Sequence, residues 1–153
     1  MGSNEYISTY TVALDAKGRV SIPANFRKTL AATETEGVNL RPLFYKSAIM
    51  GCDSRWVEER RKKRDEARSS DPDDPSNEEI DEALADVRSL PIDETGRIRL
   101  PDDMIAYAGL KKCALFVGNG LTFQIWDPEK YRSERERLRK EREERFKARG
   151  ATP

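Results

Sequence analysis

The sequence predicts an α+β, β-rich domain built as a pseudo-two-fold pair of similar halves, and three observations carry that prediction. A nine-residue stretch occurs twice, as Asp15-Ala16-Lys17-Gly18-Arg19-Val20-Ser21-Ile22-Pro23 and as Asp93-Glu94-Thr95-Gly96-Arg97-Ile98-Arg99-Leu100-Pro101, 78 residues apart (93 − 15). Apolar residues concentrate in roughly 9–52 and 88–131, whereas 55–87 and 129–153 are dominated by charge. Each apolar segment is only about 45 residues long, near the lower limit for folding alone. The halves must therefore share one core. A repeat at this period indicates duplicated half-domains, since solenoid periods are shorter.

Taken in order, residues 1–8 are polar and are expected to fray. Tyr10, Val12 and Leu14 alternate with Thr9, Thr11 and Ala13, the pattern of a half-buried strand. Asp15 and Gly18 then form a tight turn, with the glycine supplying positive φ. On the strand that follows, Arg19 and Ser21 point one way and Val20 and Ile22 the other. Pro23 suits the first turn of a helix, on which Phe26 and Leu30 form an i,i+4 apolar pair. After a polar loop over 31–37, Leu43-Phe44-Tyr45 and Ala48-Ile49-Met50 read as a hairpin around Lys46-Ser47. Trp56 lies in a helix with Asp53 as its N-cap.

The charge run over 58–68 predicts a solvated helix, and Ser69 to Ser76 a loop. Ser76 with Glu79 resembles a capping box, opening a helix through Glu82, Ala83, Leu84 and Val87. In the second copy Asp93 and Gly96 make the turn, Arg97 and Arg99 point outward, and Ile98 and Leu100 point inward. Pro101-Asp102-Asp103 opens a helix with acids in its first turn, and Gly109 closes it. Cys113–Val117 and Thr122–Trp126 are strands joined through Gly118-Asn119-Gly120. Leu115-Phe116 answers Leu43-Phe44, and Trp126-Asp127 answers Cys52-Asp53. From Pro128 a long exposed helix is expected, with Glu136–Lys140, Glu141–Arg145 and Glu143–Lys147 as i,i+4 pairs. The organisation is thus a flexible N-terminus at 1–8, a first repeat at 9–56 and a linker at 57–89. A second repeat at 90–131 and a charged helix and tail at 132–153 complete it.

Composition bounds the function. Hydrophobic and charged residues each make up 37% of the chain, so the core is small. The 28 basic and 28 acidic residues cancel, so any affinity for nucleic acid must come from local patches. There is no His, which removes His-based metal sites and Ser-His-Asp triads. Cys52 and Cys113 lie in apolar strand-like runs without CxxC spacing and read as buried free thiols, with a disulfide left open. No apolar run approaches the roughly 20 residues of a membrane span. The carboxylates lie in turns, loops and charged helices and nominate no converging catalytic pair. The expectation is a soluble cytoplasmic protein that is not an enzyme, with no cofactor, metal, membrane or small-molecule substrate.

The doubled Asp-x-x-Gly-Arg-[Val/Ile]-x-[Ile/Leu]-Pro, each copy followed by a short helix, resembles the AbrB-like swapped-hairpin superfamily. Residues 10–30 and 93–131 closely resemble the bacterial MraZ family, and the resemblance spans roughly 9–56 and 78–131. It implies a small double barrel of swapped hairpins. It also implies a DNA-binding transcriptional regulator of the division and cell-wall gene cluster. Such a regulator would be associated with the nucleoid and act as a ring-like homo-oligomer on short direct repeats in double-stranded DNA. Carried over by position, Lys17 and Arg19 occupy the DNA-contacting turn and Arg97 the equivalent turn of the second copy. The linker departs from the family's Asn-Pro-x-x-Arg-Arg stretch, reading Asp71-Pro72-Asp73-Asp74-Pro75-Ser76-Asn77 instead. That departure leaves the turns untouched and bears on the ring contacts.

A guanidinium can pair with the Asp four residues before it and still present its fork outward, where it suits phosphate and guanine. Residues 15–28 set Lys17, Arg19, Arg27 and Lys28, with Ser21 on the same strand face as Arg19, against Asp15 alone. Residues 93–106 set Arg97 and Arg99 against Asp93, Glu94, Asp102 and Asp103. Counted along the chain, this makes the first copy the main reader of DNA and the second a structural echo with a minor contact. The Arg60–Arg64 run is flanked by Glu58, Glu59, Asp65 and Glu66, which favours a solvated helix over a phosphate patch. Two further readings stand beside the regulator: a nucleoid protein without sequence preference, and an antitoxin-like DNA-binding module. The second is opposed by a C-terminal helix with a basic excess rather than an acidic tail.

Overall fold

The computed structural model describes residues 4–150. The fold is α+β, with eight strands in two antiparallel sheets and five α-helices. The strands are β1 (Thr9–Ala13), β2 (Arg19–Ser21), β3 (Val38–Pro42), β4 (Ile49–Cys52), β5 (Arg88–Leu90), β6 (Arg97–Arg99), β7 (Cys113–Gly118) and β8 (Phe123–Trp126). The helices are α1 (Ala24–Ala32), α2 (Ser54–Ala67), α3 (Glu78–Ala85), α4 (Asp102–Ala108) and α5 (Pro128–Ala148). Six strands form one sheet in the order β1-β7-β8-β4-β3-β5, and β2 pairs with β6 as a separate ribbon.

The order shows how the halves interlock. β1 leaves its own half to pair with β7, and β5 likewise crosses to β3. At the centre of the large sheet Met50 faces Gln124, 74 residues apart (124 − 50), and at the centre of the ribbon Val20 faces Ile98, 78 apart (98 − 20). Each central pair is made by equivalent residues of the two copies, so the pseudo-two-fold axis passes through both. A single core follows from this exchange. Val20, Ile22, Phe26 and Leu30 of the first copy and Ile98, Leu100, Met104 and Ala108 of the second are all buried in it.

The same register corrects one expectation. The first hairpin is made by 38–42 and 49–52, not by 43–45 and 48–50. Leu40, opposite Gly51, is the counterpart of Phe116, opposite Ile125 (116 − 40 = 76), so Leu43-Phe44 does not answer Leu115-Phe116. The Leu-Phe dipeptide misleads because the connection between β3 and β4 is longer than that between β7 and β8. The other equivalence holds: Asp53 accepts from Arg55 N at the start of α2, as Asp127 accepts from Lys130 N at the start of α5. At α3 the expected capping box is absent, because Asp74 takes both the Ser76 N–H and its hydroxyl. On α5 Glu136–Lys140 forms, but Arg137 bridges Glu134 and Glu141, and neither Glu141–Arg145 nor Glu143–Lys147 is an ion pair.

The expected fray at 1–8 is also corrected where the structure describes it, since residues 1–3 lie outside the described residues. Tyr6 is fully buried between Phe26 and Phe123, with ring centroids at 5.3 and 5.1 Å. Its hydroxyl donates to the buried Asp53 carboxylate at 2.8 Å, and its backbone bridges Gly120. One large aromatic with a hydrogen-bond partner is enough to seat an otherwise polar strand. Cys52 is buried and Cys113 half-buried, and both are free thiols.

The opposite face of the sheet is covered by α2 and α5, with Trp126 and Tyr131 at the heart of a second apolar cluster. There Arg41 is 5% exposed, its guanidinium 3.8 Å from the Phe44 ring centre and 5.9 Å from that of Trp56. Its Nε and Nη2 are buried without a hydrogen-bond partner among the described residues, and burial lowers its pKa. An unpaired buried donor costs about 1–3 kcal/mol, more than an aromatic stack of about 0.5–1 kcal/mol returns. Arg41→Met should therefore raise stability by about 1 kcal/mol and the melting midpoint by about 2–4 °C. A lower midpoint in calorimetry would show that the guanidinium is satisfied.

Candidate nucleic-acid interface

Each copy of the repeated motif folds the same way, and the reason is local. Gly18 and Gly96 take φ of +80° and +82°, and the Asp three residues before each receives a fan of hydrogen bonds. Asp15 accepts from Lys17 N at 2.9 Å, Arg19 N at 2.8 Å and Arg19 Nε at 2.7 Å. Asp93 accepts from Thr95 N at 2.9 Å, Thr95 Oγ1 at 2.8 Å, Arg97 N at 2.9 Å and Arg97 Nε at 3.1 Å. In both turns the carboxylate engages only Nε of the guanidinium. The terminal amino groups keep their donors for something else.

The β2–β6 pairing then joins the two motifs into one surface. Arg19 faces Arg99 and Ser21 faces Arg97, while Val20 faces Ile98. Residues directly opposite in a sheet share a face. Arg19, Ser21, Arg97 and Arg99 thus line the outer face of the ribbon, and Val20 and Ile98, each 1% exposed, fill its inner face. Arg99 makes no ion pair among the described residues, and like charges opposite one another are unfavourable in isolation. The arrangement suits an anion.

The remaining candidate residues fall out differently. Lys17 is exposed in the first turn, beside Gly18, and Lys28 is exposed on α1. Arg27 is half-buried, and it lies over the opposite copy's turn: a Cβ at Gly96 would come 1.8 Å from its Nη1. Ile105 holds the equivalent place over Gly18. Backbone bonds fix this exchange, from Ile22 N to Gly96 O at 2.9 Å and from Leu100 N to Gly18 O at 2.8 Å. The charge balance counted along the chain is therefore not the balance in space. The second turn gains Arg27, and Asp103 is drawn off by Arg88, with Nη1 to Oδ1 at 2.7 Å. In space the first copy therefore holds less of an electrostatic advantage than the count along the chain gives it. Sequence reasoning missed the Arg19–Arg99 juxtaposition and the place of Arg27; the repeat itself, two copies that must share one core, was the available signal for an exchange between halves.

The turns respond to acid in a defined window. The backbone N–H of Arg97, with the Thr95 hydroxyl and N–H, lowers the Asp93 pKa from 3.8 to about 2. Asp15 is lowered too, first by the Arg19 backbone N–H. A folded pKa below the unfolded one means stability that is complete above about pH 4 and lost as pH falls toward 2. The amide resonances of Gly96 and Arg97 should therefore titrate together with a midpoint near pH 2. A midpoint at the ordinary 3.8 would show that these bonds are not made in solution.

Among the described residues no helix is long and apolar enough to cross a membrane. The family model described as "MraZ protein, putative antitoxin-like" matches residues 6–40 and 84–151. It passes over 41–83, the segment that contains the divergent linker. The chain is 39% identical over 123 residues to "Transcriptional regulator MraZ" of Rhodospirillum rubrum, covering 80% of this chain and 79% of that one. Against the protein of the same name from Pelagibacter ubique it is 36% identical over 127 residues, covering 80% and 78%. Against that of Rickettsia akari it is 31% identical over 153 residues, covering 97% and 99%. These relatives carry the names of regulators, not of enzymes. With both turns, the ribbon and α5 inside the matched segments, this chain belongs to the MraZ family.

Proposed function

We propose that this protein is a sequence-specific DNA-binding transcriptional regulator that lays the outer face of its β2–β6 ribbon on double-stranded DNA. The observation that carries the reading is the set of Arg19, Arg97 and Arg99 on one face, with the first two aimed by Asp15 and Asp93 through Nε alone. A two-stranded ribbon fits the major groove, where an arginine fork recognises guanine O6 and N7. Ser21 adds a short donor and acceptor between them, and Lys17, Lys28 and Arg27 supply positive charge toward the phosphates. The names of the relatives support regulation of transcription.

In this reading the protein works in the cytoplasm on the nucleoid, at short direct repeats upstream of the division and cell-wall genes. The test compares a duplex from the region upstream of its own operon with a scrambled duplex of equal composition at equal salt. Specific binding should be at least about a thousandfold tighter. Equal affinities would favour a nucleoid protein without sequence preference. The antitoxin-like reading finds no acidic tail, because the 21 residues of α5 hold nine basic and six acidic side chains.

The protein is further proposed to act as a homo-oligomer larger than a dimer, with contacts around Trp56 and α3. Light scattering at micromolar concentration is expected to give several times the 17.5 kDa chain mass. A mass of one chain would refute the assembly.

A further inference from the structure

The long C-terminal helix carries a feature that the ribbon does not use. Arg132, Arg135, Arg139 and Arg142 recur at spacings of three, four and three residues, which places them on one face of α5. All four are exposed, and with Glu136 they line one shallow groove along the helix. Three of the six acids of α5 are engaged elsewhere, Glu134 with Lys46 and Arg137, Glu141 with Arg137, and Glu136 with Lys140, while Glu129, Glu143 and Glu144 pair with none of the four arginines. None of the four arginines makes an ion pair among the described residues. Arg135 lies against the Tyr131 ring and donates to its hydroxyl at 2.9 Å, which props its guanidinium on the row.

The spacing is that of a coiled-coil seam, but a seam needs apolar side chains where these arginines stand. Phe146 is the one apolar residue that continues the row. From Arg132 to Arg142 the helix rises about 15 Å. Phosphates of one strand rise about 3.4 Å apiece along the duplex axis, so four arginines spread over about 15 Å can meet at most about four of them. Tyr131, near the start of α5, packs on the sheet face opposite the ribbon, and from Arg139 onward every residue is exposed.

We propose that this arginine row is a second DNA-binding site, specific for the phosphate backbone and indifferent to base sequence. It engages a duplex segment other than the one held by the ribbon. The proposal shares with the regulator reading only that the partner is DNA, and it stands if the ribbon reads nothing.

The test saturates the protein with its operator duplex and then titrates a labelled, unrelated duplex. Binding of the second duplex is expected in the micromolar range or weaker, with log K falling against log salt by about 0.9 per phosphate, or about 3.6 for four contacts. The variant R132Q/R135Q/R139Q/R142Q keeps helix propensity and should lose at least tenfold on the unrelated duplex while operator binding persists. The corresponding Arg→Lys variant should keep both. In Arg19→Ala/Arg99→Ala the opposite loss is expected, with unrelated-duplex binding retained. Unchanged unrelated binding in the Gln variant overturns the proposal. So does its disappearance in the ribbon variant, or a changed assembly mass in the Gln variant, which would make the row a subunit contact.

Discussion

The double substitution Arg19→Ala/Arg99→Ala is expected to abolish specific DNA binding while leaving fold and assembly intact. The two residues face each other across the ribbon, so their removal strips one end of its outer face and leaves Arg97 as its one remaining guanidinium. Each fork on a guanine is worth about 1–3 kcal/mol, and losing two costs at least about thirtyfold per site. In the proposed homo-oligomer, subunits holding several repeats would multiply that loss, because avidity requires the sites to hold together. The fold should persist because Val20 and Ile98, not the arginines, fill the core side of the ribbon. Arg19→Ala and Arg97→Ala taken singly should lose comparable affinity, since Arg27 sits over the second turn and Arg88 engages Asp103. Fluorescence anisotropy on a multi-repeat duplex, with size exclusion as control, decides the point. Wild-type affinity in Arg97→Ala would restore the first copy as the dominant reader.

That comparison marks where sequence reading stops. The turns were legible because their chemistry is local: Asp and Gly at fixed spacing admit few backbone solutions. Gly109 closing α4 at φ of +67° and Asp53 opening α2 were legible for the same reason. The partner of each strand was not. Alternation in Tyr10-Thr11-Val12 says which face is buried, but nothing in it says that β1 lies beside β7. Val38-Asn39-Leu40-Arg41-Pro42 was passed over because it holds a charge and ends in proline, while the more apolar 43–45 run nearby drew the strand prediction. Arg41 is in fact buried, and no local rule anticipates an unpaired guanidinium there. Arg27 counts toward its own copy's turn along the chain yet lies over the opposite one, because the exchange of halves is invisible to charge counted in sequence.

Gly51→Ala is expected to be strongly destabilising for the addition of a single methyl group. Gly51 pairs with Phe123 across β4 and β8, and a Cβ there would come 2.1 Å from Phe123 Cζ and 2.2 Å from Cε2. The aromatic ring lies over the glycine, filling the space a side chain would take. It cannot swing aside, because it is fully buried and wedged among Tyr6, Phe26 and Phe116, with centroids 5.1, 5.2 and 5.7 Å away. A methyl group forced under it displaces the ring cluster that joins the N-terminal segment, α1 and both hairpins. Overpacking of this kind costs about 3 kcal/mol, which should lower the melting midpoint by about 6–12 °C. Phe123→Leu in the same background relieves the clash, so the double variant should melt higher than the sum of the single losses predicts. A coupling of about 1–3 kcal/mol of that sign is expected in the cycle. Equal melting of Gly51→Ala and the wild type would show that the ring does not rest on this glycine.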